Sequence, residues 1–308
     1  MDFALQTFDA FFRQRAGWLC LWLVCTAPVA ADIRQQDDLG REVILEKPAT
    51  RIISLAPHLT ETIFAAGAGD RLVGTVSYSD FPEAARSVPR VGSYDTVSYE
   101  TVLAMEPDLV FAWVSGGGGE TIARLEELGL VVYAEDPRKL DDVARSLRAV
   151  GQLTGNVEHA ERSAAQFEGT LARLRAEYSE RAALTVYYQI WDEPLLTLNG
   201  DHIISDVVRL CGGRNVFAHA IPLVSRISVE AVLEVDPQVI VASGMDEARP
   251  EWLDRWRQWR SLRAVSNGQL YFVPPDLLQR HTPRIVQGAE MLCRQMDEAR
   301  RHYDRPRP

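Results

Sequence analysis

The run Val97-Ser98-Tyr99-Glu100-Thr101-Val102-Leu103-Ala104-Met105-Glu106-Pro107-Asp108-Leu109-Val110 has a counterpart in the second half of the chain. That counterpart is Ile227-Ser228-Val229-Glu230-Ala231-Val232-Leu233-Glu234-Val235-Asp236-Pro237-Gln238-Val239-Ile240. Both share one pattern: apolar residue, Ser, spacer, Glu, spacer, Val-Leu, two spacers, acid, Pro, apolar run. Ser98 and Ser228 suit a helix N-cap, where a hydroxyl accepts from otherwise unpaired first-turn amides. Val97 and Ile227 stand where a hydrophobic staple would pack, and Glu100 and Glu230 face the positive end of the helix dipole. Pro107 and Pro237 stop the helix and are expected to push Glu106 and Asp236 toward extended geometry. The apolar runs behind them, Leu109 to Trp113 and Val239 to Ala242, read as buried strands. A helix–proline–strand unit present twice predicts two similar lobes.

The rest of the chain fits that frame. Asp38-Leu39-Gly40 reads as the turn of a small hairpin, and Arg51 to Ala56 as a buried strand ended by Pro57, with a helix opening at Thr60. Strands are predicted over Leu72 to Val76, Leu130 to Tyr133, Val186 to Ile190 and Leu270 to Val273. Helices are predicted up to Leu128 and over Leu140 to Leu153, Ile203 to Leu210 and Pro283 to Arg301. Strands alternating with helices imply a parallel sheet covered on both faces. From Asn156 to Ala182 there is no Pro, and Gly169 is the only Gly. Val157, Ala160, Ala164, Phe167, Leu171, Leu174 and Tyr178 make one apolar stripe, which predicts a single long helix of about 40 Å. The expected fold class is therefore α/β: two lobes, each with a central, mainly parallel sheet flanked by helices, joined by one long rigid helix. The expected division is 1–31 signal peptide, 32–153 N-terminal lobe, 154–183 linking helix and 184–308 C-terminal lobe.

With 308 residues, 46% of them hydrophobic, the chain can bury one large or two medium cores. A net charge of −10 argues against nucleic acid and anionic membrane surfaces as partners. Residues 18–24 form a short apolar core after Arg13 and Arg15, followed by Pro28-Val29-Ala30-Ala31, the pattern of a secretory signal cleaved after Ala30 or Ala31. A retained membrane anchor is the alternative, although the apolar run is too short to span a bilayer. Cleavage would remove Cys20 and Cys25 and leave Cys211 and Cys293. In an exported chain these suit one disulfide, with two separate buried thiols as the other possibility.

Ligands of open parallel sheets bind beyond the carboxyl ends of the strands. The residues expected there include His58, Tyr78, Tyr94, Trp113, Trp191 and the stretch Asp276-Leu277-Leu278-Gln279-Arg280-His281. Large flat side chains with a few polar groups suit a sizeable, partly apolar ligand. Each aromatic taken singly is as compatible with a core role, and Trp252, Trp256 and Trp259 at helical spacing read as packing. His58 and His281 are expected in loops facing the cleft, where loop hydrogen bonding is the default and ligation of a metal the alternative. No spacing supplies the three or four convergent ligands of a dedicated metal site. The glycines Gly116 to Gly119 lack the following Lys-Ser/Thr of a P-loop and read as a flexible loop. No nucleophile elbow or paired-carboxylate arrangement points to an enzyme.

The run Arg51-Ile52-Ile53-Ser54-Leu55-Ala56-Pro57, with Glu61 and Ala65-Ala66-Gly67 behind it, resembles the first strand and helix of the helical-backbone (class III) periplasmic binding proteins of ABC importers. Tyr78-Ser79-Asp80, the two Glu-containing units, Leu210-Cys211-Gly212-Gly213-Arg214-Asn215-Val216-Phe217 and Thr282-Pro283-Arg284-Ile285 are similar to the vitamin B12 (cobalamin) binding members of that family. The resemblance implies a periplasmic, non-enzymatic, monomeric protein that needs no cofactor and carries cobalamin as its transported ligand. It implies ligand contacts at Tyr78, Tyr94, Trp113, Trp191, Asp276, Leu277, Leu278, Gln279 and Arg280, and a disulfide between Cys211 and Cys293. It further implies that Glu100 and Glu230 dock on the ABC importer permease of the inner membrane. Tyr94 stands where a Trp is common, Leu223 and Leu277 occupy positions that can also be Trp, and Ile190 replaces a Phe with Trp191 beside it. The cleft is therefore less aromatic than the family pattern. A ferric siderophore or haem is the alternative ligand on the same scaffold, with an exported enzyme further behind.

Overall fold

The computed structural model describes residues 32–93, 95–244 and 248–304; the expected signal segment and Tyr94 fall outside them. The first half forms a hairpin, β1 (Ile33–Gln36) and β2 (Glu42–Leu45), then β3 (Ile52–Ser54), α1 (Pro57–Ala65), β4 (Leu72–Gly74) and α2 (Tyr99–Ala104). It continues with β5 (Leu109–Trp113), α3 (Gly119–Glu127), β6 (Val132–Glu135) and α4 (Leu140–Thr154). After the long α5 (Val157–Tyr178) come β7 (Leu184–Gln189), β8 (Leu196–Leu198), α6 (Ile203–Leu210), β9 (Gly213–Asn215), β10 (Val224–Arg226) and α7 (Val229–Val235). The chain closes with β11 (Val239–Ala242), α8 (Arg263–Ser266), β12 (Leu270–Phe272), α9 (Pro275–Leu278) and α10 (Ile285–Tyr303).

Two four-stranded parallel sheets result, in the orders β4-β3-β5-β6 and β9-β7-β11-β12. Each sheet places the strand after the repeated helix, β5 or β11, next to the strand that comes first in that sheet, β3 or β7. The two orders are thus the same, as the repeated unit predicts. Two antiparallel pairs, β1 with β2 and β8 with β10, lie outside these sheets.

The likeness of the two units reaches individual hydrogen bonds. Ser98 accepts from the amide of Thr101 at 3.3 Å, and Ser228 accepts from that of Ala231 at 3.3 Å. Just past each proline, a side-chain oxygen holds the threonine at the start of the neighbouring strand. Asp108 Oδ2 accepts from the Thr50 amide (2.8 Å) and hydroxyl (2.7 Å), while Gln238 Oε1 accepts from the Thr185 amide (3.0 Å) and hydroxyl (3.3 Å). The acids before the prolines correct the expectation. Glu106 and Asp236 are left-handed, with φ of 44° and 40°, rather than extended. A left-handed residue closes a helix end by returning its N–H to the last turn, here to Leu103 and Val232.

The apolar stripe of α5 is buried through Ala160, Ala164, Phe167, Leu171, Leu174 and Tyr178, while Val157 in its first turn is exposed. At 22 residues it is about 33 Å long, the span of the stripe itself and shorter than the run from Asn156 to Ala182 implied. One buried cluster runs without a break from Ile52 and Phe111 in the first sheet, through α4 and α5, to Val186 and Val241 in the second. The lobes therefore share an interior, and separate clusters cover only their outer faces. Cys211 at the end of α6 and Cys293 in α10 form a disulfide with Cα atoms 4.7 Å apart. Closing its 82-residue span would stabilise the fold by about 4.5 kcal/mol in the chain-entropy account.

Some boundaries differ from the expectation. Helix α1 begins at Pro57 rather than Thr60, because proline's fixed φ suits the first helical position. Strand β6 begins at Val132 instead of Leu130. Residues Asp276 to Leu278 belong to the one-turn helix α9, not a loop.

Candidate functional site

The carboxyl ends of both sheets turn toward the seam between the lobes. From the N-terminal lobe come His58 in the first turn of α1, Tyr78 and Asp80 after β4, Trp113 ending β5, and Asp136 after β6. From the C-terminal lobe come His202 before α6 and the segment from Asp276 through Arg284.

An ion-pair network crosses the seam. The Glu61 side chain, 3% exposed on α1, receives Arg280 Nη1 at 2.8 Å and Arg284 Nη2 at 2.7 Å. Arg280 also pairs with Asp80 (2.7 Å) and Asp276 (3.1 Å). The Arg284 guanidinium lies 3.8 Å over the Phe81 ring. Removing one partner of so enclosed a network strands the others, which makes it a strong determinant of how the lobes meet.

Beside this network lies a floor of packed rings. His58 and Trp113 meet edge to face at 4.9 Å, and His281 stands 5.6 Å from His58 and 5.9 Å from Trp113. His202 packs against His281 at 5.2 Å, its Nδ1 accepting from the Ile204 amide. All three imidazoles are buried; His281 lies in a loop as expected, whereas His58 belongs to the first turn of α1. Burial holds His58 and His202 well below the ordinary histidine value and His281 at about 4; the neighbouring Arg280 and Arg138 act in the same direction, and Asp136 opposes them at His281. These rings are neutral near pH 7.

The expected contact residues fall into distinct places. Tyr78 is 70% exposed, and its φ of 65° is unusual for a bulky residue. Its backbone is held on either side by Ser77 N–H to Gly92 O and by Ser79 N–H to Val76 O. Such a strained, exposed aromatic is the kind of feature that clusters at ligand clamps. On the other lobe, Ile221 is 94% exposed and Val224 is also exposed. Trp191 is half-buried, with its indole N–H donated to the Glu193 carbonyl at 2.9 Å. Gln279 donates its amide to the Ser243 carbonyl (3.0 Å), tying α9 to the end of β11. Asp276 and Arg280 are committed to the seam network, and Leu277 is half-buried. Leu278 is fully buried in the shared core. Tyr94 lies outside the described residues.

Glu61, Arg284 and His202 join the site without having been singled out as contacts. Glu61 and Arg284 sit in the motifs quoted above, but nothing local marks a pair separated by 223 positions. Glu100 and Glu230 are exposed in the first turns of α2 and α7, and bonds from its own amide and from Ser228 hold Glu230 below the usual carboxylate range. Among the described residues no group of three or more His, Cys, Asp or Glu could hold a metal ion. Among them, too, no helix is long and apolar enough to cross a membrane. A depression of about 800 Å³ on the N-terminal lobe is lined by Gln36, Asp38 and Arg145. Its charges are already paired, Asp38 with Arg145 and Asp37 with Arg41, so its size does not make it the site.

A family model described as "periplasmic binding protein" matches residues 52–277. The vitamin B12-binding protein of Vibrio cholerae serotype O1 is 38% identical over 247 residues, covering 80% of this chain and 88% of that protein. That of Yersinia pestis is 34% identical over 248 residues, covering 80% and 86%. A crystal structure of the periplasmic vitamin B12 binding protein BtuF of Vibrio cholerae superposes with a TM-score of 0.76 at 36% identity, covering 82% of this chain and 98% of that one. The periplasmic haem-binding protein RhuT of Roseiflexus sp. RS-1 shares the fold, with a TM-score of 0.69 at 24% identity, covering 82% and 99%.

Proposed function

The chain belongs to the periplasmic binding protein family, and from that premise we propose that it captures a corrinoid, cobalamin in the first instance, between its lobes and delivers it to an ABC importer. The likeness to the Vibrio cholerae vitamin B12-binding protein, over 80% of this chain, carries the reading. The shape of the site agrees with it. Exposed apolar side chains on both lobes, Tyr78 on one and Ile221 on the other, suit a large, partly apolar guest, and the seam offers polar groups for orientation. The protein acts in the periplasm after loss of residues 1–31, works as a monomer, needs no cofactor of its own and catalyses nothing.

Delivery rests on Glu100 and Glu230. Each is exposed at the same place on a repeated helix, one per lobe, where a cationic permease residue could pair with it. Glu100→Ala with Glu230→Ala is expected to reduce uptake through the reconstituted importer at least tenfold while ligand affinity stays unchanged. Uptake equal to wild type would remove the docking role.

A haem or ferric siderophore is the second reading, and the three neutral imidazoles on the floor favour haem, whose iron takes a histidine ligand. Titrating the purified protein with cyanocobalamin, haem and a hydroxamate siderophore, followed by calorimetry and absorbance, separates the three. Tight binding of cyanocobalamin alone supports the proposal, and saturable binding of haem alone ends it.

A further inference from the structure

Three ring nitrogens buried where the lobes meet have no hydrogen-bond partner among the described residues: His58 Nε2, Trp113 Nε1 and His281 Nδ1. Buried polar atoms are nearly always bonded, so three orphans in one ring triangle call for a cause. Edge-to-face packing lets a ring N–H rest on a neighbouring ring, but that contact is a weak substitute. Two of the rings come from the N-terminal lobe, on α1 and β5. The third comes from the C-terminal lobe, between α9 and α10. Parting the lobes would separate His281 from the other two.

The chemistry of the triangle is specific. An indole N–H can only donate, whereas a neutral imidazole nitrogen donates or accepts according to tautomer. A group that carries a carbonyl oxygen and an N–H together can satisfy all three, the oxygen accepting from Trp113 and the N–H serving an imidazole nitrogen in its acceptor form. An anion fits less well, because the nearby guanidiniums are already balanced, Arg280 by Glu61, Asp80 and Asp276, and Arg138 by Asp136. A metal ion fits less well again, since the described residues hold no cluster of three or more ligands arranged for one.

We propose that His58, Trp113 and His281 form a hydrogen-bonding subsite for a primary carboxamide on the rim of the ligand. His202, whose Nδ1 is engaged by Ile204, buttresses His281 from behind. The inference rests on the corrinoid reading above: a corrin carries carboxamide side chains where a haem carries carboxylates. It makes this floor a determinant of which tetrapyrrole the cleft accepts.

The test compares wild type with Trp113→Phe, His281→Leu and His281→Asn, by calorimetry with cobinamide and with cobyrinic acid, which bears carboxylates on the same ring. Trp113→Phe and His281→Leu are each expected to weaken cobinamide about 5- to 10-fold, the effect of one lost hydrogen bond. The ligand-free melting temperature should hold or rise, because each change removes an orphaned polar atom. His281→Asn, which keeps a polar atom near Nδ1, should recover most of the affinity. Equal losses in His281→Leu and His281→Asn, or cobinamide affinity indifferent to all three changes, would overturn the subsite. So would cobyrinic acid binding as tightly as cobinamide. A wild-type protein that binds haem and no corrinoid overturns the corrinoid reading and the subsite together; one that binds cobinamide regardless of these substitutions overturns the subsite alone.

Discussion

The two lobes agree where they hold themselves together and differ where they face each other. Both build the same strand order, cap the repeated helix with serine and end it on a left-handed acid before proline. Both present a glutamate in that helix's first turn. At the seam the likeness stops. The N-terminal lobe offers one buried carboxylate, Glu61, with Trp113 and His58, whereas the C-terminal lobe offers two guanidiniums and two imidazoles. Matched surfaces suit a partner that meets both lobes alike, and unmatched ones suit a guest whose two sides differ. In this duplicated scaffold, then, the two halves keep what supports each lobe and diverge where the lobes meet.

The largest effect expected from breaking this asymmetry is at Glu61. Glu61→Ala leaves Arg280 and Arg284 facing each other, mostly buried, with only Asp80 and Asp276 nearby. Stability should fall by about 3 kcal/mol, measured by urea unfolding. Glu61→Gln, which keeps the acceptor oxygen without the charge, should lose less. A loss under about 1 kcal/mol for Glu61→Ala, the level of a surface pair, would show that the seam is wet and the lobes are not clasped there.

A smaller effect should come from pH. Burial keeps His58, His202 and His281 neutral in the closed seam, with values below the ordinary 6.5. His58 faces Trp113, His281 and Arg280; His202 faces His281 and Arg138; His281 faces Asp136 and Arg138. Opened or unfolded, these rings take up protons near their ordinary value, so acid favours the open chain. The stabilisation is present above about pH 6.5 and is lost as pH falls toward 4, the value at which His281 itself titrates in the closed form. Melting temperature should drop by about 2–5 °C between pH 7.5 and pH 5. His281→Leu should flatten that slope, and an unchanged slope would mean the rings are not shut away.

Much of this fold could be read from residue order. The repeated unit, the stripe of α5 and the run Ile203 to Leu210 are local patterns whose physics acts within a few turns. The short elements β8, β9 and β10 escaped because three residues carry too little periodicity to register. At the site, Tyr78 and Trp113 stood out by type and place. His58 and His281 were expected beyond strand ends as well, but their meeting, and the part of His202, were not: positions 58, 202 and 281 share no local pattern and are brought together only by the tertiary fold. His58 was misplaced for a plainer reason, since Pro57 can end a strand and begin a helix in one step.

The smallest effect tests the matched half of the comparison. If the repeated helices are equivalent supports, their caps should be worth the same. Ser98 and Ser228 each accept one first-turn amide at 3.3 Å, and each helix is short, α2 with six residues and α7 with seven. Replacing either serine by alanine should therefore lower stability by about 1 kcal/mol. Each serine has one further contact, Ser228 with the Glu230 carboxylate and Ser98 through a 2.7 Å bond to the Thr101 hydroxyl, where the other unit has Ala231. That bond is exposed and should add only a few tenths of a kcal/mol. Urea unfolding of Ser98→Ala, Ser228→Ala and the double variant decides it. Equal, additive losses would support two independent copies of one device. A loss at Ser228 several times that at Ser98 would mean that the C-terminal helix leans on its cap, and that the lobes differ in their scaffolds as well as at the seam.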